Sequence, residues 1–240
     1  MTLDEILTSL FPAGHDVVER DGLLAGRGVL AGGALDVIGV SARRAVGVDE
    51  ALWLSAQVLA VVRRGGATPI LVLVDSDSQR MSKRDELLGL NEYLAHLAQC
   101  LLHADQLGHR TVGLLYGHTA AGAFIATALA TRTLVALPGA EPEVMDLPSM
   151  ARVTKLSLEV LEDMAKSTAV FAPGLDNLAK TGAVDAVLDP ARSLAEQLGE
   201  LLAQPSDRTD RRDRLGEARQ GRPAAAAIAR RVHDLARAAG

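Results

Sequence analysis

The distribution of apolar and polar residues predicts alternating helices and strands through the middle of the chain. Val48–Arg64 has its apolar residues at helical spacing and ends in two arginines, which is typical of an amphipathic helix. Pro69–Asp75 is instead an unbroken apolar run rich in β-branched residues, as in a strand covered on both faces. The same patterns predict a helix at 83–107, a strand at 111–116, a helix at 123–130 and a strand at 132–139.

The regions that flank this block have their own patterns. The first eleven residues predict a short helix, with Thr2 as N-cap and Glu5 in capping-box register. Two apolar runs, at 28–31 and 35–38, are separated by Gly32-Gly33 and predict a hairpin. Helical patterns return at 149–167, 193–203 and 224–239, while the Arg/Asp-rich segment 206–223 predicts a solvated loop or flexible arm. Together these elements predict an α/β layered fold with much parallel pairing.

Composition narrows the possible partners and the compartment. The 240 residues carry a net charge of -5, which argues against nucleic acid as a partner. The single Cys100 fits a reducing compartment, and the acidic N-terminus lacks the basic region of a signal peptide. No run approaches the ~18–20 apolar residues of a membrane span. We therefore expect a cytoplasmic protein that does not bind a membrane.

The sequence contains parts of two known catalytic motifs, but neither motif is complete. The stretch YGHTAAGAF (Tyr116–Phe124) joins a strand to a helix, where an α/β-hydrolase carries G-x-S-x-G, but the nucleophile position is Thr119 and the only histidine downstream is His233. The strand ending in Asp75-Ser76-Asp77 is similar to a phosphatase pattern, yet no later paired acids would complete its metal site. The six histidines do not have the spacing of metal ligands. We expect neither a hydrolase triad nor a metal.

What the YGHTAAGAF turn does offer is peptide N–H groups. Ala121, Gly122 and Ala123 have small side chains at the start of a helix, where the first amides are unpaired and lie at the positive end of the dipole. Such amides can stabilise a developing negative charge, so we predict an oxyanion hole flanked by His118 and Thr119. The alternative is that small residues only let the helix pack closely on the sheet.

Several motifs, in order, resemble the carboxyltransferase branch of the crotonase-like superfamily. Those proteins have a strand ending in D-[ST]-P-G, a long helix, a second strand and a G-G-A-[YF] turn; the counterparts here are Asp75-Ser76 and Gly122-Ala123-Phe124. A later A-x-P-x-A-E-x-x-V-M segment is matched by Pro138, Ala140, Glu141, Val144 and Met145. Within that branch the chain is similar to the gamma subunits of biotin-independent malonate decarboxylases, over roughly Gly22–Val187.

The resemblance implies a fold and a set of site residues. The fold would be a crotonase-like spiral of ββα units at 1–190, followed by a helical C-terminal extension at 191–240 that contains the polar segment 206–223. Gly117, Asp75 and Ser76 would bind substrate beside the hole. Ala121 replaces the first glycine of the usual pair. It keeps its N–H but narrows the space beside it, which disfavours a biotin ureido group and still admits a carboxylate or CO2.

The resemblance also implies a reaction and partners. The chain would be one half of a two-subunit site, completed by a beta subunit, that converts malonyl-S-acyl carrier protein to acetyl-S-acyl carrier protein and CO2. The substrate would be carried on a phosphoribosyl-dephospho-coenzyme A arm of the carrier protein (the delta subunit), with an alpha subunit as carrier-protein transferase and without biotin. Two alternatives remain open: a subunit of a biotin-dependent acyl-CoA carboxyltransferase, and a non-catalytic scaffold that only completes the fold of a partner.

Overall fold

The computed structural model describes residues 1–169, 172–205 and 209–238. Within these ranges the strands are β1 (Val18–Arg20), β2 (Leu23–Leu30), β3 (Gly33–Val46), β4 (Ile70–Gln79), β5 (Thr111–Leu115), β6 (His118–Ala120), β7 (Thr133–Ala136), β8 (Glu141–Glu143) and β9 (Ala186–Val187). The helices are α1 (Leu3–Leu10), α2 (Val48–Arg64), α3 (Lys83–Leu87), α4 (Leu90–Gln106), α5 (Ala121–Ala126), α6 (Leu147–Thr154), α7 (Leu158–Ser167), α8 (Leu175–Lys180), α9 (Leu194–Ala203), α10 (Arg212–Ala218) and α11 (Ala225–Ala238).

The described residues group into two compact units. The first contains Met1–Val144 together with β9 and α9, and the second contains Met145–Asp185 together with α10 and α11. The division predicted from the sequence, into 1–190 and 191–240, stays a prediction.

The first unit is built on a seven-stranded sheet in the order β1-β2-β3-β4-β5-β7-β9. The first three strands pair antiparallel and the rest pair parallel, which confirms the predicted α/β character. Ile70–Val74 is buried along its whole length, as its unbroken apolar sequence predicts for a central strand. One apolar face of the sheet packs against α1 and α9 through residues such as Leu10, Leu73 and Leu198.

Most of the predicted elements of this unit are present, with shifted ends. The helix α2 has the predicted bounds, and Thr2 and Glu5 form the predicted capping box of α1. The hairpin is also present, but Leu30 pairs with Gly33, so its turn lies one residue earlier than predicted. The helix expected at 83–107 is two helices, because Gly89 adopts a left-handed conformation (φ 82°) between α3 and α4.

The second unit corrects the prediction for the polar segment 206–223. Residues 206–208 lie outside the described residues, but α10 occupies 212–218 and is followed by an ordered arginine. The Arg219 guanidinium donates to the carbonyls of Ala179, Val184 and Asp185 at 2.9, 2.6 and 2.9 Å. A guanidinium carries five N–H donors and can satisfy several backbone carbonyls at once. This segment is therefore not a solvated arm, because the Arg219 guanidinium binds backbone carbonyls within the second unit.

None of the helices formed by the described residues has both the length and the apolar character that crossing a membrane requires.

Candidate functional site

The predicted small-residue turn contains a short strand that the sequence did not reveal. His118–Ala120 forms β6, which pairs in parallel with β8 through His118 and Glu141, Thr119 and Pro142, and Ala120 and Glu143. The helix α5 then begins at Ala121, two residues earlier than predicted, and Ala123 is completely buried in it. The three peptides assigned to the hole thus lie at a junction that is fixed on one side by β6 and on the other by α5.

Asp75 fixes the beginning of this turn. Its carboxylate accepts the His118 N–H at 3.1 Å through Oδ1 and the Arg43 N–H at 3.4 Å through Oδ2. Gly117 is required beside it, because a Cβ at that position would collide with the Asp75 side chain. Asp75 and Gly117 were predicted to bind substrate; here they pack against each other, and Asp75 positions backbone amides.

Ser76 and Thr119 form a buried pair beneath the turn. Both residues are fully inaccessible to solvent, and their hydroxyls hydrogen-bond at 2.8 Å. A nucleophile needs an adjacent base and access to substrate. Thr119 instead has a serine hydroxyl as its partner inside the protein, and Ser76 likewise faces Thr119. These two side chains hold β4 and β6 together, and neither is open to a substrate.

Gly122 has a side-chain partner that sequence reasoning missed. Its N–H donates to Oε1 of Gln79 at 2.8 Å, so the end of β4 caps the start of α5. The Nε2 of Gln79 lies 3.9 Å from the Met81 sulfur, a weak contact. A Cβ at position 122 would lie 3.1 Å from Leu94 Cδ1 and 3.2 Å from Gln79 Oε1, so any side chain there would require Leu94 or Gln79 to shift. No sequence pattern singles out Gln79, which follows four polar residues.

Ala121 adopts a conformation that alanine seldom adopts. Its φ is 49°, in the left-handed region that favours glycine. Because the other side of the junction is held by the hydrogen bond of Gly122 to Gln79, the surroundings impose this conformation. The family pattern of glycine at this position therefore has a backbone reason as well as a steric one.

The His118 imidazole lies between two carboxylates. Its Nδ1 is 3.8 Å from Glu141 Oε2 and its Nε2 is 4.0 Å from Asp77 Oδ1. The imidazole is largely buried, whereas both carboxylates are mostly exposed. These distances permit ion pairs with a protonated imidazole but are too long for direct hydrogen bonds. Together with Asp75, these groups give the turn an acidic surrounding.

A buried ionic cluster supports the strand ends next to the site. Glu50, at the start of α2, accepts from Arg44 at 3.0 and 2.6 Å, from Arg80, and from the Gly47 N–H at 2.9 Å. Burial raises the pKa of Glu50, but the hydrogen bonds from Arg44, Arg80 and Gly47 outweigh burial and leave the pKa below its usual value. The cluster joins the ends of β3 and β4 to α2, and Gln79 directly precedes Arg80 in it.

Two other side chains that could act as nucleophiles, Tyr116 and Cys100, lie in surroundings that disfavour their charged forms. Burial, with smaller contributions from Asp75 and Glu19, raises the pKa of the Tyr116 phenol well above its usual value. Burial also raises the pKa of the Cys100 thiol, which disfavours the thiolate needed for nucleophilic attack. Within the ranges that the structure describes, His, Cys, Asp and Glu side chains form no group of three that could hold a metal ion.

Comparison with known protein families gives one match that covers most of the chain. A family model described as malonate decarboxylase gamma subunit matches residues 41–236. A curated relative, the malonyl-S-ACP:biotin-protein carboxyltransferase MADD of Malonomonas rubra, is 31% identical over 124 residues. That alignment covers 50% of this chain and 42% of the relative, so the chain spans less than half of the relative's length.

Comparison with solved structures gives the same result for the fold. A Pseudomonas malonate decarboxylase hetero-tetramer in complex with coenzyme A matches with a TM-score of 0.80 and 27% identity, covering 96% of this chain and 98% of that one. The Pseudomonas MdcD-MdcE hetero-dimer matches with a TM-score of 0.75 and 27% identity, over 96% and 97% of the two chains. Transcarboxylase 12S, at 17% identity and a TM-score of 0.68, shares the fold over 86% of this chain and 42% of its own. The predicted crotonase-like carboxyltransferase fold is confirmed.

Proposed function

This chain belongs to the malonate decarboxylase gamma-subunit family, and from that premise we propose that it forms, with a beta subunit, the site that decarboxylates malonyl-S-acyl carrier protein to acetyl-S-acyl carrier protein and CO2. The observation that carries the proposal is the Gly117–Ala123 turn. It places partly exposed peptide groups at Ala121 and Gly122, while its one hydroxyl, on Thr119, is buried and paired with Ser76. A site with donors and no nucleophile suits a reaction in which charge develops without a covalent intermediate.

The chemical step requires stabilisation of an enolate. When the carbon–carbon bond to the carboxylate breaks, the electron pair moves into the thioester and negative charge grows on its oxygen. Donors that are fixed before the reaction stabilise this charge without reorganising. We assign the N–H of Ala121, which is partly exposed, to the hole directly, whereas Ala123 is completely buried and its N–H is not open to a substrate. The Gly122 N–H acts through Gln79, whose Oε1 accepts from it at 2.8 Å and whose amide hydrogens are then oriented as further donors.

The partners follow from the same proposal. The beta subunit would supply the second half of the site, and the solved MdcD-MdcE hetero-dimer supports a complex of this kind. A carrier protein (delta) with a phosphoribosyl-dephospho-coenzyme A arm would deliver the malonyl group, and an alpha subunit would act as carrier-protein transferase. We place this complex in the cytoplasm. The methyl group of Ala121, fixed at φ 49° beside the hole, narrows the space that biotin would need and supports a reaction without it.

A second candidate function has one observation in its favour. The curated relative from Malonomonas rubra is named as a biotin-protein carboxyltransferase. In that alternative the same amides would stabilise the same enolate, and the CO2 would be transferred to biotin. A third possibility, a scaffold without catalytic residues, would need no ordered donors at the turn.

The test is reconstitution of the chain with its beta subunit and a malonyl-carrier protein. CO2 release and acetyl-carrier protein are measured with and without avidin. We expect release that avidin does not reduce. Release that requires a biotinylated protein and stops with avidin would support the carboxyltransferase. A complex that assembles but retains full activity when this chain's turn is disrupted would support the scaffold.

Gln79→Glu is the sharpest variant for that test. Glutamate can still accept from the Gly122 N–H, but it replaces the donor group by a negative charge where charge must develop. We expect CO2 release to fall by about 100-fold with unchanged assembly, comparable to the loss of one oxyanion donor. Thr119→Val serves as the control for nucleophilic catalysis and should retain most of the activity. An unchanged rate in Gln79→Glu, or an acyl adduct on Thr119, would contradict the assignment.

A further inference from the structure

The end of β3 contains a local distortion of the strand. The pairing of β3 with β4 shifts register between Val40 and Arg44, so the intervening residues bulge out of the ladder. Ala42 and Arg43 both adopt left-handed conformations, with φ values of 55° and 52°. Bulges of this kind are common next to active sites, where they redirect a side chain.

Two consecutive left-handed residues that are not glycine are costly. In this conformation the Cβ atom lies too close to the following carbonyl oxygen, so each residue is strained relative to an ordinary conformation. Such strain persists only when the surroundings impose it, and it concentrates at functional positions. Here the surroundings include Asp75, whose Oδ2 accepts the Arg43 N–H at 3.4 Å. Glycine would adopt these conformations without strain, yet the chain has alanine and arginine there. The strain at position 43 is therefore explained if the arginine side chain is needed.

Asp75 also links this bulge to the candidate site. Its other oxygen accepts the N–H of His118, in the turn that carries the hole. A single carboxylate therefore separates the Arg43 backbone from the Gly117–Ala123 turn. The arginine side chain begins next to the place where the malonyl thioester would bind.

The guanidinium of Arg43 differs from those of its basic neighbours. Arg44 and Arg80 donate to Glu50, and Arg84 donates to Asp49 at 2.8 and 3.0 Å. Arg43 is exposed, and its side chain makes no hydrogen bond or ion pair with any residue that the structure describes. Its positive charge is available to a ligand.

The charge of the surroundings indicates what that ligand is. Asp75, Asp77 and Glu141 surround the turn with carboxylates. A malonyl group and the phosphates of a carrier arm are themselves anionic, so an available cation is needed to offset repulsion. A planar guanidinium can bind either a carboxylate or a phosphate through two parallel N–H donors.

We propose that the Arg43 guanidinium binds an anionic group of the substrate, either a phosphate of the carrier arm or the malonyl carboxylate. This inference rests on the proposed function for the identity of the substrate. The binding itself can be measured without turnover. Arg43 would then act on substrate affinity, while the Ala121 amide and Gln79 act on the chemical step.

The test compares Arg43→Gly with Ala42→Gly in the complex with the beta subunit. Both substitutions relieve a left-handed residue, but only the first removes the guanidinium. We expect Arg43→Gly to raise KM for malonyl-carrier protein about tenfold or more, with kcat within about twofold, as for loss of one charged hydrogen-bonding group. Ala42→Gly should leave KM unchanged. Arg43→Lys should recover part of the affinity, and Arg63→Ala, which removes another exposed arginine, should have no effect.

Equilibrium binding separates the two sources of the anion and is independent of catalysis. Dephospho-coenzyme A and malonate are titrated separately into the wild-type and Arg43→Gly complexes. A selective loss of dephospho-coenzyme A affinity identifies the phosphate, and a selective loss of malonate affinity identifies the carboxylate. Unchanged KM and unchanged binding of both probes in Arg43→Gly would overturn the proposal. If the wild-type complex released no CO2, the proposed function would fail, while the binding measurements would still decide the role of Arg43.

Discussion

At the scale of single residues, the site depends on backbone groups whose positions are set by side chains elsewhere. Asp75 holds the His118 N–H, Gln79 holds the Gly122 N–H, and the Ser76–Thr119 pair joins the strands beneath them. Each of the three contacts comes from β4 and reaches the same turn. The backbone conformation of the turn is therefore fixed by side chains of β4 as well as by the turn's own residues.

Ala121 provides the first prediction at this scale. Replacing it with glycine relieves a left-handed alanine, worth roughly 1–2 kcal/mol. The greater freedom of glycine in the unfolded chain offsets ~0.4–1 kcal/mol of that gain. We expect Ala121→Gly to raise the free energy of unfolding by about 0.5–1 kcal/mol, visible as a higher Tm of the complex.

The matched control is Ala123→Gly, the same change two residues further on. Ala123 is buried inside α5, where glycine loses about 1 kcal/mol of helix propensity and a packed methyl group. It should therefore destabilise the complex. A lower Tm for both variants would show that the left-handed conformation at Ala121 is not strained.

The residues of the site could be predicted from the sequence only in part. The turn is predictable because small residues between a strand and a helix expose peptide N–H groups, and Asp75 is predictable through the family motif. Gln79 was missed because its role depends on a partner 43 positions away. The burial of Thr119 and Ser76 was missed for the same reason, since a hydroxyl in a sequence does not show what it faces.

At the scale of elements, polar residues concealed the full extent of β4. The apolar pattern ends near Asp75, but the strand continues to Gln79 because Ser76 and Gln79 still pair with Arg44 and Val46 across the bulge. The boundary between α3 and α4 was recoverable, because Gly89 interrupts the helical pattern. Long apolar elements were therefore predictable from periodicity, whereas polar extensions depend on tertiary pairing.

The Glu50 cluster provides the prediction for these elements, because it joins β3, α2 and the end of β4. Its folded pKa lies below the usual value, so folding favours the charged form. This contribution is fully present above the unfolded pKa of about 4.3 and is lost as the pH falls through the folded pKa. We expect Glu50→Gln to lower the free energy of unfolding by about 2 kcal/mol at pH 7, because Arg44 and Arg80 lose a buried partner yet remain partly hydrated.

The measurement is denaturant unfolding of the complex between pH 7 and pH 3. The difference between wild type and Glu50→Gln should shrink as the pH falls below about 4.3. Glu92→Gln, which removes an exposed carboxylate on α4, is the control and should differ little from wild type at any pH. A gap for Glu50→Gln that stays constant with pH would mean that the carboxylate charge does not support the junction.

At the scale of the whole molecule, the sequence pattern predicts the order of the helices and strands. It does not show whether this chain alone forms the whole site. Alternating helical and apolar segments were sufficient to indicate parallel pairing, and the comparisons confirm the fold. The proposal that this chain supplies only half of the site comes from the family resemblance alone. One structural feature agrees with a missing partner: Met81 and Leu87 are 79% and 78% exposed, and Met81 contacts Gln79 at the site. Contiguous exposed apolar surface is typical of an interaction site, and we propose that Met81 and Leu87 belong to one.

The last prediction is that Met81 and Leu87 lie in the interface with the beta subunit. An obligate interface of this kind buries about 2,000 Å² or more, and its apolar core tolerates charge poorly. Met81→Glu combined with Leu87→Glu should weaken the complex at least tenfold, measured by sedimentation or by titration of the beta subunit, and CO2 release should fall in parallel. Leu102→Glu is the matched control, because Leu102 is 49% exposed on α4. If the double variant assembles like wild type, these two side chains lie outside the interface; if the chain alone is a stable, decarboxylating monomer, the requirement for a partner is itself wrong.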